Sequence, residues 1–322
     1  MENNSGEYLW GDNRRYHSFV LELKKQFGCR VQKIAVDAGF TCPNRNGTIS
    51  TDGCSFCLNE AFNPSYCRKF NHNISKQLEE GIKFHKFRYR KVDKYLAYFQ
   101  CYSNTYADIN YLEKVYMEAL SFPGIAGIVI ATRPDCIDDE KIELLKYLSD
   151  KYYVSIEYGV ESCYDDTLKQ INRGHNFKTS QDAIIKTSKA GIKTGAHLII
   201  GLPGDDKNRI INMAKCLSNL PINYLKLHQL QIFKNTPMEK QYIKDPSFFN
   251  LLNINEYIEL IIDFVEVLNP YIAINRIAAE APPRYLANKG WGLIRNDEIL
   301  RIFENRIEKR NTFQGKYFTN EF

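Results

Sequence analysis

Cys42, Cys54 and Cys57 follow a C-x11-C-x2-C spacing inside a loop rich in Gly, Pro and Asn. Three thiolates can hold a metal centre and leave one position open. An open position points to chemistry, because a structural site is normally closed by a fourth protein ligand. Spacing alone admits two centres. Cys67 or Cys29 would supply a fourth thiolate and make a closed zinc knuckle, whereas three thiolates alone suit an iron–sulfur cluster. Zinc ribbons carry two Cys-x-x-Cys pairs on facing hairpins; here there is one pair, in a loop that interrupts a strand-to-helix crossover. Cys67, Cys101, Cys136, Cys163 and Cys216 otherwise read as small buried apolar residues, with Cys136 and Cys163 directly after strand ends.

The thiols need a scaffold, and the hydrophobic pattern supplies one. Apolar runs at 31–37, 95–101, 127–131, 153–160, 193–200 and 224–230 read as strands. Amphipathic stretches at 73–87, 109–120, 138–148, 180–190 and from 206 onward read as the helices between them. Such alternation means parallel strands joined by crossover helices. Six units fit an incomplete (β/α)6 barrel, with the cysteine loop after the first strand, where α/β folds carry their active sites. Beyond 237 the pattern changes to a helix at 254–268, a short strand at 272–277 and a last helix at 297–308. The expected division is an N-terminal helical segment (1–30), a core barrel (31–236) and a C-terminal α/β extension packed on it (237–322).

Composition narrows the class. The chain has 322 residues, 44% of them hydrophobic, and no apolar run of membrane-spanning length. The polar start shows no secretion signal, and nine scattered cysteines do not make a disulfide framework, so a cytoplasmic setting is expected. The net charge of +5 permits an acidic partner such as RNA without demanding one. The segment 83–94 interleaves cations with Phe84, Phe87 and Tyr89, which reads either as a phosphate-and-base strip for RNA or as a solvated helix end with inward-packed aromatics. The last helix also carries cations, but Glu304 and Glu308 pair with them at helical spacing.

Several segments taken in order carry a resemblance. They are Gly11-Asp12, Asp37-Ala38-Gly39-Phe40-Thr41-Cys42-Pro43-Asn44-Arg45, Phe99-Gln100, Asn104-Thr105-Tyr106, Ala131-Thr132-Arg133-Pro134-Asp135-Cys136, Glu157-Tyr158-Gly159-Val160-Glu161-Ser162, Ile171-Asn172-Arg173-Gly174-His175, Gly201-Leu202-Pro203-Gly204 and Leu227-His228-Gln229-Leu230. The chain resembles the radical S-adenosylmethionine (SAM) superfamily, in its elongator-like branch, and more narrowly the YtqA/YhcC-like family. The first gap between the cysteines is widened relative to the usual superfamily loop.

The resemblance implies a partial (β/α)6 barrel holding a 4Fe–4S cluster on Cys42, Cys54 and Cys57, with SAM on the fourth iron. It implies an electron donor such as flavodoxin or ferredoxin. Phe56 would lie near the adenine, and Gln100 and Asn104 would hold the methionine amino group. Glu157 and Ser162 would meet the ribose hydroxyls, and Arg173 the SAM carboxylate. Arg133, a cation at the end of the third strand, or Arg45 would grip a substrate carboxylate or phosphate. His228 reads equally as a substrate contact and as a core histidine.

The implied activity is on the anticodon region of tRNA: conversion of 5-carboxymethylaminomethyl uridine to 5-aminomethyl uridine at the wobble position. A radical on the methylene between amine and carboxylate is stabilised from both sides. Its oxidation to an imine and hydrolysis would release the amine. Three rivals stand beside it. Elongator-like carboxymethyl addition would need an acetyl-CoA domain, for which little chain remains after the barrel. The others are radical SAM chemistry on a small metabolite or protein, and a zinc-stabilised RNA-binding protein.

Overall fold

The computed structural model describes residues 6–88, 92–288 and 290–319. Seven parallel strands form one sheet in the order β1 to β7: Val31–Val36, Lys94–Phe99, Ile125–Thr132, Tyr153–Glu161, Lys193–Ile200, Tyr224–Gln229 and Ala273–Arg276. The helices are α1 (Phe19–Phe27), α2 (Ser65–Lys69), α3 (Ile74–Arg88), α4 (Ile109–Leu120), α5 (Asp139–Ser149), α6 (Asp165–Gln170), α7 (Phe177–Lys189), α8 (Lys207–Ser218), α9 (Pro237–Lys244), α10 (Ile254–Val267) and α11 (Asn296–Lys309). This is the expected α/β half-barrel. Its sheet gains a strand from the C-terminal region, because β7 pairs with β6. Among the described residues no helix is long and apolar enough to cross a membrane.

Side-chain alternation builds two faces. Ile34, Val36, Ala97, Phe99, Ile128, Ile130, Val154, Ile156, Leu198 and Leu225 point outward into the main core beneath the helices. The intervening residues point into the half-barrel, where they lie in layers. At the bottom Leu96, Val129, Tyr153, Tyr224 and Ala273 pack on Phe19 and Leu23 of α1, which plugs that end. Phe19 stacks on Tyr224 with ring centroids 4.1 Å apart. Gly195 makes room for this ring, since a Cβ there would lie 2.3 Å from it.

The topology relocates the basic-aromatic segment at 83–94. Its described residues close α3 and open β2, at the N-terminal ends of the strands, opposite the cysteine loop. Residues 89–91 lie outside the described residues. Phe84 and Phe87 are 53% and 93% exposed, so they do not pack inward. Lys83 pairs with Glu79 and Glu80.

Candidate active site

Above the apolar plug lies a charged layer. Glu157 points inward from β4 with its carboxylate fully buried. It accepts from Lys33 Nζ at 2.6 Å and from Lys226 Nζ at 2.8 Å, with His197 Nε2 at 3.4 Å and Asn275 Nδ2 at 3.4 Å. Lys226 also donates to the Tyr98 hydroxyl at 2.8 Å. Burial works to raise the Glu157 pKa, but Lys226, Lys33 and His197 outweigh it and hold the carboxyl well below its usual range. Burial brings Lys226 down to about 7 against the opposing pull of Glu157, with Lys33 and Arg276 adding repulsion. His197 falls to about 4, first by burial and then through Lys226.

A cavity opens over this layer at the C-terminal ends of the strands. Cys42, Cys54 and Cys57 line one wall; Ile199, His228, Leu230 and Arg276 line another. The cysteine loop is held by the turn after α6. Ser55 N–H donates to Ile171 O at 2.9 Å, Asn172 Nδ2 to Gly53 O at 2.7 Å, and Asn44 Nδ2 to Asn172 O at 2.6 Å. Met238 N–H, at the start of α9, donates to Ser55 O at 3.0 Å.

Cys54 is ringed by donors: Arg173 Nη1 at 3.4 Å, Asn44 Nδ2 at 3.6 Å and Arg133 Nη1 at 3.9 Å. Asn59 Nδ2 lies 3.4 Å from Cys57 Sγ. Burial pushes the Cys57 thiol up to about 11, and Cys54 and Cys42 add to this against Arg45. The thiols are therefore close enough to repel as thiolates. Among the described residues no three His, Cys, Asp or Glu side chains converge on a single ion. Cys67 does not join them: its Sγ donates to Ala35 O at 3.4 Å, and it neighbours Asp37 and Cys101.

The other expected positions divide. Phe56, Gln100 and Arg173 line the cavity with the cysteines. Gln100 Nε2 donates to Phe62 O at 2.5 Å. Arg173 is buried, donates to Gly159 O at 2.5 Å and keeps Nε unpartnered. Gly159 is required here, since a Cβ would lie 2.5 Å from Glu161 Oε1 and 2.7 Å from Arg173 Nη2. Asn104 stands behind the wall, its Nδ2 on Ala131 O at 2.7 Å; Ser103, with an unpartnered Oγ, faces the cavity in its place.

Three expectations change. Glu157 belongs to the layer beneath, saturated by two lysines, and is not free for a ribose. Ser162 points outward: its Oγ donates to Met213 Sδ at 3.8 Å. β4 ends at Glu161, and its register with β5 shifts between Gly159 and Glu161, so the alternation from Glu157 is broken before Ser162. Glu161, in a left-handed conformation at φ 67°, brings the carboxylate to the cavity. Arg133 is not a free cation. It makes a bidentate pair with Asp135 at 2.8 and 2.7 Å and donates to Arg173 O at 2.8 Å. Arg45 lines the cavity and donates to Cys57 O at 2.7 Å, bracing the loop. His228 faces the cavity with Nε2 unpartnered, held well below its usual pKa by burial and then by His197. Lys33, Lys226 and Arg276 lie outside the sequence motifs. The two lysines carry a signal, a charge at inward parity inside an apolar strand.

The profile of the radical SAM superfamily matches residues 42–217, and that of the radical SAM C-terminal domain matches 222–309. The chain is 33% identical to the YtqA protein of Bacillus subtilis over 99% of its own length and 97% of that protein. A more distant relative is the tRNA uridine(34) acetyltransferase of Dehalococcoides mccartyi, 26% identical over 57% of this chain and 39% of that one. Among solved structures, the archaeal Elp3 of Methanocaldococcus infernus superposes with a TM-score of 0.68 at 18% identity, covering 88% of this chain and 64% of that one.

Proposed function

The chain belongs to the radical SAM superfamily, in its YtqA/YhcC-like family, and from that premise we propose that it acts on the wobble uridine of tRNA, converting 5-carboxymethylaminomethyl uridine to 5-aminomethyl uridine. The cofactors of this superfamily are a 4Fe–4S cluster and SAM. The observation that carries the reading is the wall of three thiols with buried donors, at the mouth of a half-barrel whose interior holds excess positive charge. The tRNA assignment draws support from the relative whose name places its action on uridine 34 of tRNA.

Cys42, Cys54 and Cys57 would hold the cluster, and Arg173, Asn44 and Arg133 would offset the charge of a thiolate at Cys54. When bound, the cluster and SAM supply one-electron chemistry that removes a hydrogen atom from an unactivated carbon. The chain's own part is to bind and orient. Phe56 offers an aromatic face beside the thiols, and Ser103, Gln100 and Glu161 present polar atoms to the same space. The plug of α1 and the apolar layer close the bottom to water. A wobble base has to leave its stack to enter such a cavity.

The test is purified, reconstituted protein incubated with SAM, a reductant and tRNA deuterated on the methylene between amine and carboxylate. The expected result is aminomethyl uridine in the tRNA and deuterium in 5′-deoxyadenosine. Deuterated RNA left intact, with 5′-deoxyadenosine formed free of label, would sink the assignment.

A further inference from the structure

The wall formed by β6 and β7 carries a group that no described residue engages by a hydrogen bond or ion pair. Arg276 lines the cavity, and among the described residues its guanidinium has no hydrogen-bond or ion-pair partner. It reaches this wall through a bulge. The β6–β7 register skips between Leu225 and Lys226, so that Lys226 stands opposite Arg276 while Leu225 stands opposite Ile274. Asn275 then reaches Glu157, and Arg276 still faces the cavity.

Positive groups outnumber carboxylates in this neighbourhood. Lys33 and Lys226 share the single carboxylate of Glu157, and Arg276 adds a third positive group. Glu161, the other carboxylate of the cavity, stands by Arg173 at 3.7 Å. His228 adds a buried, unpartnered Nε2 on the same wall. A half-buried guanidinium without a counter-charge is free to pair with an anionic ligand.

We propose that Arg276, with Lys226 and His228, forms an anion seat that receives the carboxylate of the substrate across the cavity from the cysteine loop. The identity of that anion rests on the wobble-uridine reading; the seat itself does not. Arg276 supplies the planar fork that takes a carboxylate through two parallel hydrogen bonds. Lys226 lies beneath it and His228 beside it. The methylene next to that carboxylate is then held between the seat and the three thiols. Arg133 and Arg45 are already engaged by Asp135 and by the Cys57 carbonyl, which leaves Arg276 for the substrate.

Binding separates the possibilities. Reconstituted protein with SAM is titrated with anticodon stem-loops bearing the carboxymethylaminomethyl uridine, its carboxamide, or unmodified uridine. Wild type should prefer the carboxylate to the carboxamide by about tenfold or more. Arg276→Met should erase that preference and leave carboxamide affinity unchanged, and Arg276→Lys should restore part of it. Equal losses on all three RNAs would mark a backbone-phosphate contact and overturn the carboxylate assignment, as would a preference that survives Arg276→Met. Inorganic phosphate is the second probe, read by broadening of its 31P resonance. Broadening in wild type that Arg276→Met removes supports the seat even if no stem-loop binds and the RNA reading falls. No difference between the two proteins overturns the seat.

Discussion

Two groups of cations lie about one cavity, and they are compensated differently. On the cysteine-loop side Arg133 is closed by Asp135 and a carbonyl, while Arg173 is spread over Cys54, Gly159 O and Glu161. Beneath and along the β6–β7 side, Lys33 of β1 and Lys226 of β6 divide the one carboxylate of Glu157, and Arg276 of β7 has none among the described residues. The first wall has the character of a seat for a permanent resident, with geometry complete in the protein alone. The second is left open electrostatically, which suits a ligand that arrives and leaves. The difference also separates the kinds of damage mutation should cause: lost cofactor on one side, altered stability and selectivity on the other.

The sharpest way to break the comparison is Cys54→Ser. Cys54 gathers Arg173, Asn44 and Arg133 about its sulfur. The expected outcome is iron and sulfide content near background, with turnover lower by about 10³-fold or more, since both depend on the thiolate ligand. Retention of full iron content would show that the cluster sits elsewhere.

Glu157→Gln tests the other wall. It leaves two buried ammonium groups beside Arg276 with no carboxylate. Removing one partner of such a network costs about 3–5 kcal/mol, measurable by denaturant unfolding. Adding Lys226→Met should recover part of the loss by removing one surplus charge. The sign with pH follows from the depressed carboxyl. Its contribution is complete above the unfolded carboxylate value of about 4.3 and is lost as pH falls through the lower folded value. The variant should lack that acid limb. An unchanged unfolding midpoint in Glu157→Gln would show that the layer carries no such strain.

Most of this architecture is legible in the sequence, and the exceptions have physical causes. The strands are visible as apolar runs because a parallel sheet covered by helices on one face and filled by side chains on the other buries both faces. The cysteines are visible by spacing. Glu161 is not legible in place of Ser162, because the register shift between Gly159 and Glu161 and the left-handed backbone at Glu161 leave no mark in the motif. Lys33 and Lys226 are readable, each a charge inside a strand at inward parity. Arg276 is not, because the bulge that turns it inward changes the register of β7 and leaves no mark in a four-residue strand. The place of the basic segment at 83–94 is not written in its composition: a crossover helix runs back along the sheet, so the described end of α3 lies far from the strand tips that hold the thiols.

Gly159→Ala probes how closely the first wall is fitted. The added Cβ would collide with Glu161 Oε1 and Arg173 Nη2. Arg173 must shift from Cys54 while the cysteines stay in place. Iron content should hold, and turnover should fall by about 10²-fold, the usual effect of a misplacement near 1 Å. Normal turnover would show that Arg173 has slack.

The smallest effect belongs to the second wall and concerns protons. Lys226 is faced by Lys33, Tyr98, Glu157, His197, His228 and Arg276. Burial, Lys33 and Arg276 bring it to about 7, while Glu157 stays ionised and both histidines stay neutral. Below that value Lys226 carries charge and attracts the substrate anion; above it the free protein has lost that charge and must take up a proton on binding. The preference for carboxylate over carboxamide should therefore be greatest at low pH and decline as pH rises through about 7, by no more than about tenfold per pH unit for one proton. The carboxylate itself keeps its charge throughout this window. Lys226→Met should flatten the profile and lower the plateau, whereas Arg276→Met should remove the preference at every pH. A slope that persists in Lys226→Met would assign the proton to another group and leave Arg276 to hold the anion without help from the layer beneath.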